Sequence, residues 1–316
     1  MEETAPPEVS PEAPEAWPAY LALHRSGELE ARAREALCRL GECSLCPRKC
    51  KVDRLAGELG RCRTGRLARV ASAGPHFGEE TPLVGRRGSG TIFFAGCNLA
   101  CVFCQNFEVS QSDQGREMEP AGLAQIMLDL QDVGCENINL VSPSHVVSQI
   151  LEALVIAARR GLRLPLVYNT GGYDAVDSLR LLDGVVDIYM PDMKYADDRV
   201  GLRLSRVPDY ATRNREALLE MHRQVGDLTL DGRDVARRGL LVRHLALPAG
   251  LAGTGVVVKF LAQHLSLDTY LNVMAQYRPM HEAWKYPEID RPLQPAEHRA
   301  AVKAARGAGL HRLDAA

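Results

Sequence analysis

Two patterns of apolar residues alternate along most of the chain. From residue 91 onward, short apolar runs alternate with longer segments in which apolar residues recur every three or four positions. The runs predict buried strands, and the longer segments predict helices with one apolar face. Strands that alternate with helices in this way favour an α/β fold with a parallel sheet.

Six strand–helix pairs can be placed on the chain. The predicted strands cover residues 91–95, 137–141, 164–168, 185–190, 239–245 and 271–275. The predicted helices cover residues 121–133, 145–160, 175–182, about 213–225, 255–265 and about 295–308. Six βα units predict a partial, TIM-like (β/α)6 barrel.

The N-terminal part has a different pattern. Residues 1–16 are dominated by Pro and Glu and offer little to bury, which predicts disorder. Residues 17–40 have helical spacing, and a cysteine-rich stretch follows. We therefore expect a disordered tail (1–16), a helix with a small cysteine-rich extension (17–75) and the barrel (76–316).

Composition narrows the function classes. The chain has 316 residues, 46% of them hydrophobic, and a formal net charge of −2, which gives no bulk electrostatic reason to expect nucleic acid or an anionic membrane as partner. No apolar run approaches the ~20 residues of a membrane span, and the acidic, Pro-rich start lacks the features of a secretory signal. Seven of the nine cysteines fall in two tight clusters, which indicates metal binding in a reducing compartment. We expect a cytoplasmic protein.

One cluster, the cysteine loop (residues 96–106), directly follows the first predicted strand. Cys97, Cys101 and Cys104 have the spacing C-x3-C-x2-C. Three thiolates can hold three irons of a four-iron, four-sulfur cluster and leave the fourth iron open to a small molecule. The alternatives are a structural zinc loop or buried free thiols, but zinc sites usually take four ligands at other spacings.

The second cluster, the cysteine knuckle, consists of Cys43, Cys46, Cys50 and Cys62. Four thiolates complete a tetrahedral site, so the knuckle predicts structural zinc or an auxiliary iron–sulfur cluster, with loose thiols as a third option. Cys38 and Cys135 stand alone and are expected to be packing residues.

Polar residues follow each predicted strand, where βα barrels place their chemistry. The candidates are Ser142 and His145 after strand two, Asn169 and Gly171 after strand three, Asp192 and Lys194 after strand four, and Arg243 on strand five. Singly, each has a structural explanation: a turn, a helix start or a surface ion pair. Together, beside the cysteine loop, they favour a functional site.

The cysteine loop has the signature of radical S-adenosylmethionine (SAM) enzymes, which the chain resembles. This resemblance implies that SAM chelates the open iron and is cleaved reductively to methionine and a 5′-deoxyadenosyl radical, which abstracts a hydrogen atom. It also implies a reductant such as flavodoxin or ferredoxin. Phe103 precedes the third cysteine, as an aromatic residue usually does in these enzymes, and is expected near the adenine.

Three further segments are similar to pyruvate formate-lyase activating enzymes. Residues 168–172 resemble their Thr-Asn-Gly segment, 187–194 their Asp-x-x-x-x-Asp-x-Lys segment, and 242–248 their Arg-tyrosine strand. The resemblance implies that Asn169 and Gly171 line the SAM pocket. It also implies that Asp192, Lys194 and Arg243 orient the SAM carboxylate or the substrate.

The usual Gly-Gly-Glu-Pro after strand two is absent. Residues 141–145 stand in its place, and we expect Ser142 or His145 to substitute for the missing SAM contact. The expected activity is hydrogen abstraction from a protein or peptide, as in glycyl-radical activation. The alternatives are radical SAM modification of another macromolecule or a small metabolite, or a non-catalytic iron–sulfur or zinc scaffold or electron carrier.

Overall fold

A computed structural model describes residues 17–112 and 114–314. The predicted disorder of residues 1–16 lies outside these residues. Within them, no helix is both long enough and apolar enough to cross a bilayer.

A nine-stranded sheet forms the centre of the described part of the chain. Its strands are β1 (Ala68–His76), β2 (Ser89–Phe94), β3 (Arg116–Met118), β4 (Ile138–Val141), β5 (Leu166–Thr170), β6 (Ile188–Pro191), β7 (Thr229–Leu230), β8 (Ala236–Leu245) and β9 (Tyr270–Met274). Six of them run parallel in the order β2-β4-β5-β6-β8-β9. These are the six predicted strands.

The sheet is curved but open. No pairing joins β9 to β2 among the described residues, so the barrel is partial. The predicted fold class, an α/β fold with a partial TIM-like barrel, is confirmed.

Helices flank the strands along the chain. They are α1 (Tyr20–Ser26), α2 (Glu28–Cys38), α3 (Thr81–Val84), α4 (Phe107–Ser110), α5 (Pro120–Val133), α6 (Val147–Arg159), α7 (Val176–Leu181), α8 (Asp198–Ser205), α9 (Tyr210–Val225), α10 (Thr254–His264) and α11 (Pro295–Gly307). Helix α6 packs between α2 and α5 and buries most of its residues, which explains its nearly continuous apolar sequence.

The N-terminal helix is two helices, not one. Gly27 separates α1 from α2 and has a φ of 80°, a left-handed conformation that glycine adopts without steric cost. The break lets α2 turn and pack against α6.

Strand β1 was not predicted, and it crosses the expected boundary between residues 75 and 76. It pairs antiparallel with β2 and β3, at the edge of the parallel strands. Its sequence lacks a clear alternation because only its first half is buried, so no period-two pattern marks it.

Candidate active site

The cysteine loop leaves β2 at Gly96 and is held by the end of α8. The backbone N–H groups of Ala100 and Val102 donate to the carbonyls of Ser205 and Leu204, at 3.1 and 2.9 Å. These bonds orient the loop so that Cys97, Cys101 and Cys104 all line one cavity of about 440 Å³.

Each thiol of the loop has a hydrogen-bonding neighbour. The Cys101 Sγ lies 3.0 Å from the Ser205 hydroxyl, and the Cys104 Sγ lies 3.2 Å from the Ser110 hydroxyl. The Leu99 N–H donates to the Cys97 Sγ at 3.4 Å. Burial, together with the neighbouring Cys101, raises the pKa of Cys97 to about 12.

Residues from all six parallel strands or the loops after them line the same cavity. They include Phe93, Val141, Ser142, Asn169, Gly171, Asp192, Lys194, Arg243, Leu245, Met274 and Gln276. Parallel strands bring these carboxyl ends to one edge of the sheet, which is where βα barrels assemble their sites. The structure therefore brings seven of the eight non-cysteine site candidates together in one cavity: Phe103, Ser142, Asn169, Gly171, Asp192, Lys194 and Arg243.

A buried ion network forms one wall. The Asp192 carboxylate accepts from Lys194 Nζ at 2.5 Å and from Arg243 Nε at 2.9 Å. Arg243 Nη2 also donates to Asn169 Oδ1 at 2.8 Å. Burial by itself would raise the pKa of Asp192, but the two cations lower it below its usual value, so the carboxylate stays ionised.

His145, the eighth candidate, does not line this cavity. Its ring is buried, its Nε2 lies 3.0 Å from the Ala95 carbonyl, and it borders the separate cavity of the cysteine knuckle. Burial lowers the pKa of His145 to about 4, which keeps the ring neutral. Its proposed contact with SAM stays a prediction.

The turn after β5 contains two glycines with different constraints. A Cβ on Gly171 would lie 2.9 Å from the end of the Leu99 side chain and 3.8 Å from Lys194 Cε, an ordinary contact distance. A Cβ on Gly172 would lie 2.0 Å from the Asp192 carbonyl oxygen, and Gly172 has a φ of 76°. Gly172 is therefore fixed by the fold, whereas Gly171 faces the cavity next to the cysteine loop.

Two acidic residues of the site were missed by sequence reasoning. Glu79 lines the cavity. The neighbouring Glu80 is buried, accepts a hydrogen bond from Asn272 at 3.2 Å and forms an ion pair with Arg243 at 3.8 Å. Burial raises the pKa of Glu79 to about 7; Arg243 partly opposes this rise, and Glu80 adds to it. They follow the unpredicted strand β1, so no sequence pattern placed them inside the barrel.

Comparison with known proteins agrees with this geometry. The family model described as the radical SAM superfamily matches residues 91–231, which run from within β2 to the residue after β7 and include the cysteine loop. The chain is also 32% identical over 273 residues to an uncharacterised protein of Methanocaldococcus jannaschii, covering 83% of this chain and 74% of that protein. The chain belongs to the radical SAM superfamily. Among solved structures, one titled "Structure of TYW1 with a lysine-pyruvate adduct bound" matches with 14% identity and a TM-score of 0.43, covering 69% of this chain and 73% of that one.

The residues present fit the cofactors of a radical SAM enzyme. No three Cys, His, Asp or Glu side chains between residues 17 and 314, residue 113 excepted, are arranged to hold a single metal ion. A four-iron cluster does not require that arrangement, because each thiolate binds a different iron. The three loop thiols share one cavity wall, and the cavity has room beside them for a further ligand.

Proposed function

We propose that this radical SAM enzyme is of the pyruvate formate-lyase activating type and takes a hydrogen atom from a protein or peptide. The observation that supports this proposal is the shared cavity. The cysteine loop and the three segments that resemble those activating enzymes all contribute side chains to its lining.

The cofactors we propose for this cavity are a four-iron, four-sulfur cluster on Cys97, Cys101 and Cys104, and SAM beside it. When bound and reduced, this pair supplies a 5′-deoxyadenosyl radical for hydrogen abstraction. Zinc or an auxiliary iron–sulfur cluster in the cysteine knuckle is a separate proposal.

The wall formed by Asp192, Lys194 and Arg243 is suited to bind a carboxylate. Lys194 uses one of its three donors on Asp192, and Arg243 uses Nε and Nη2 on Asp192 and Asn169. The remaining N–H donors can bind the SAM carboxylate or an acidic group of the substrate. Because Asp192 holds both cations in place, they are positioned before the ligand arrives.

Other residues of the lining are suited to the nucleoside. The Phe103 ring packs edge-on against Tyr277, with centroids 5.6 Å apart, and is therefore held in one orientation. The Gly171 carbonyl accepts from the Tyr210 hydroxyl at 2.8 Å, which fixes the turn that contacts the ligand. Ser142 lines the same cavity with a φ of 61° and offers a hydroxyl where the Gly-Gly-Glu contact is missing.

An electron donor such as flavodoxin or ferredoxin is the partner that this chemistry needs. The cytoplasm is the compartment we propose, because all nine cysteines are free thiols.

Two assays test the proposal. Anaerobically reconstituted protein with dithionite and SAM is expected to form 5′-deoxyadenosine, and the variant with Cys97, Cys101 and Cys104 all changed to Ala is expected to form none. The second assay adds cell extract labelled with Cα-deuterated glycine, separated into protein and small-molecule fractions. We expect the protein fraction to transfer deuterium into 5′-deoxyadenosine.

The outcomes separate the alternatives. If only the small-molecule fraction transfers deuterium or stimulates SAM cleavage, the substrate is a metabolite and not a peptide. A protein that binds its cluster and SAM but forms no 5′-deoxyadenosine would be a scaffold.

A further inference from the structure

The four thiols of the cysteine knuckle surround one small, enclosed cavity. Its lining includes Cys43, Cys46, Cys50 and Cys62. Three of them are more than nine-tenths buried, and all four are free. Four cysteines from one short segment that converge on a single cavity are a ligand set rather than scattered packing residues.

The knuckle backbone is not held by helices or strands. None occurs between residues 39 and 67, all of which the structure describes. The hydrogen bonds that close the segment include those from the Cys43 N–H to the Val52 carbonyl at 2.9 Å and from the Lys51 N–H to the Cys43 carbonyl at 3.0 Å. Lys49 and Lys51, on either side of Cys50, have φ values of 41° and 60°, which are unfavourable for lysine. Such a segment needs a further source of stability, and a bound metal commonly provides it.

Two residues are suited to hold the thiols together. A Cβ on Gly60 would lie 3.0 Å from the Cys50 Sγ, so glycine at this position lets the chain that carries Cys62 pass close to Cys50. The Arg54 side chain is 1% exposed and donates to the His145 carbonyl at 2.8 Å. Its Nη1 also donates to the Cys43 Sγ at 3.8 Å, which positions that thiol at the cavity.

We propose that Cys43, Cys46, Cys50 and Cys62 bind a second metal centre, either one zinc ion or an all-cysteine iron–sulfur cluster. Four thiolates complete the ligand set of both. No three Cys, His, Asp or Glu side chains of the described residues are arranged around a single ion. We therefore expect the knuckle thiols to rotate toward the metal when it binds. Because the four cysteine thiolates occupy all the coordination positions, the centre has none left for a substrate.

The position of the knuckle gives this centre a role in the active site. The Cys62 carbonyl oxygen packs against Gly96, where a Cβ would lie only 2.4 Å from it. Arg48 donates to the Asn98 carbonyl and, at 3.1 Å, to the Arg206 carbonyl. Asn98 lines the knuckle cavity, whereas Cys97 and Leu99 on either side of it line the active-site cavity. The cysteine loop therefore separates the two cavities, and the second centre supports the loop from behind.

The variant with Cys97, Cys101 and Cys104 changed to Ala isolates the knuckle. After anaerobic purification and reconstitution with iron and sulfide or with zinc, we expect about one zinc, or about two or four irons with matching sulfide, per chain. Changing Cys43, Cys46, Cys50 and Cys62 to Ser in this background is expected to reduce the metal to background. Changing Cys38 and Cys135 to Ser instead is the matched control and is expected to leave it unchanged.

Alkylation of the unmodified, metal-loaded protein keeps the test independent of whether the variants fold. Iodoacetamide is expected to label Cys38 at once and to label the knuckle cysteines only after a chelator removes the metal. Zinc without visible absorption identifies a zinc site, and iron with sulfide and visible absorption identifies a cluster. The proposal is overturned if the loop variant holds no metal, or if the knuckle cysteines are labelled as fast with metal as without. Neither readout depends on SAM cleavage. The proposal for the metal centre and the proposed radical chemistry can therefore each be rejected without rejecting the other.

Discussion

Asp192 is the residue on which the charge balance of the cavity depends, since two cations share its carboxylate. Asp192→Asn leaves the buried Lys194 without its carboxylate partner and Arg243 with only the more distant Glu80. We expect a loss of about 3 kcal/mol in the free energy of unfolding. Lys194→Met leaves the bond between Asp192 and Arg243 intact and is expected to cost about 1 kcal/mol. Urea unfolding of both variants measures the difference. Equal losses would mean that Asp192 is not the centre of the network.

A second prediction at the residue scale concerns Glu79. Because burial raises its pKa to about 7, folded protein holds a proton that the unfolded chain releases near its ordinary pKa of 4.5. The folded state therefore binds more protons between pH 4.5 and 7, and stability falls as pH rises through this window. Glu79→Gln removes this loss and is expected to flatten the melting temperature between pH 5 and 8.

The exposed Glu117 provides the matched control for that measurement. Glu117→Gln is expected to leave the pH profile unchanged, because the side chain is in solvent at the sheet edge. An unchanged slope in Glu79→Gln would show that another group causes the pH dependence.

At the scale of elements, the turn between β5 and α7 separates folding from ligand binding. Gly172→Ala forces a Cβ against the Asp192 carbonyl at a positive φ, and we expect it to cost about 3 kcal/mol of stability. In Gly171→Ala the close contact is with the end of the flexible Leu99 side chain, so the fold is expected to lose less than about 1 kcal/mol.

Gly171→Ala is nevertheless expected to weaken SAM binding by roughly fivefold, about 1 kcal/mol, because the methyl group enters the cavity and pushes on the cysteine loop. Thermal unfolding and SAM affinity, measured on the same reconstituted variants, test both statements. Normal SAM affinity in Gly171→Ala would make the turn a scaffold.

At the scale of the whole molecule, the alternating pattern was enough to place all six parallel strands and to expect their polar ends at one edge. It could not reveal β1 or the role of Glu79 and Glu80, because their burial depends on a loop that enters the barrel from the sheet edge. Nor could it distinguish Gly171 from Gly172, since that difference depends on the Asp192 carbonyl, twenty residues away in sequence. His145 is the converse case: its position after β4 suggested the cavity, yet its ring turns toward the knuckle.

The last prediction concerns the attachment of the N-terminal helices to the barrel. The fully buried Asp187, at the start of β6, accepts from the Ala19 N–H at 2.9 Å and from the Leu166 N–H at 3.1 Å. Asp187→Asn loses the charge on both bonds and can point its amide N–H₂ at one of the donors, so we expect a cost of about 2 kcal/mol at pH 7.5. Because Ala19 precedes α1 directly, the first part to loosen is expected to be α1 with α2. Limited trypsin digestion is then expected to cut at the arginines of these helices well before the barrel is cut.

The exposed Asp177 provides the control variant, Asp177→Asn. If Asp187→Asn is digested at the rate of the unmodified protein, the helices are anchored by the contacts of Trp17 and Tyr20 instead.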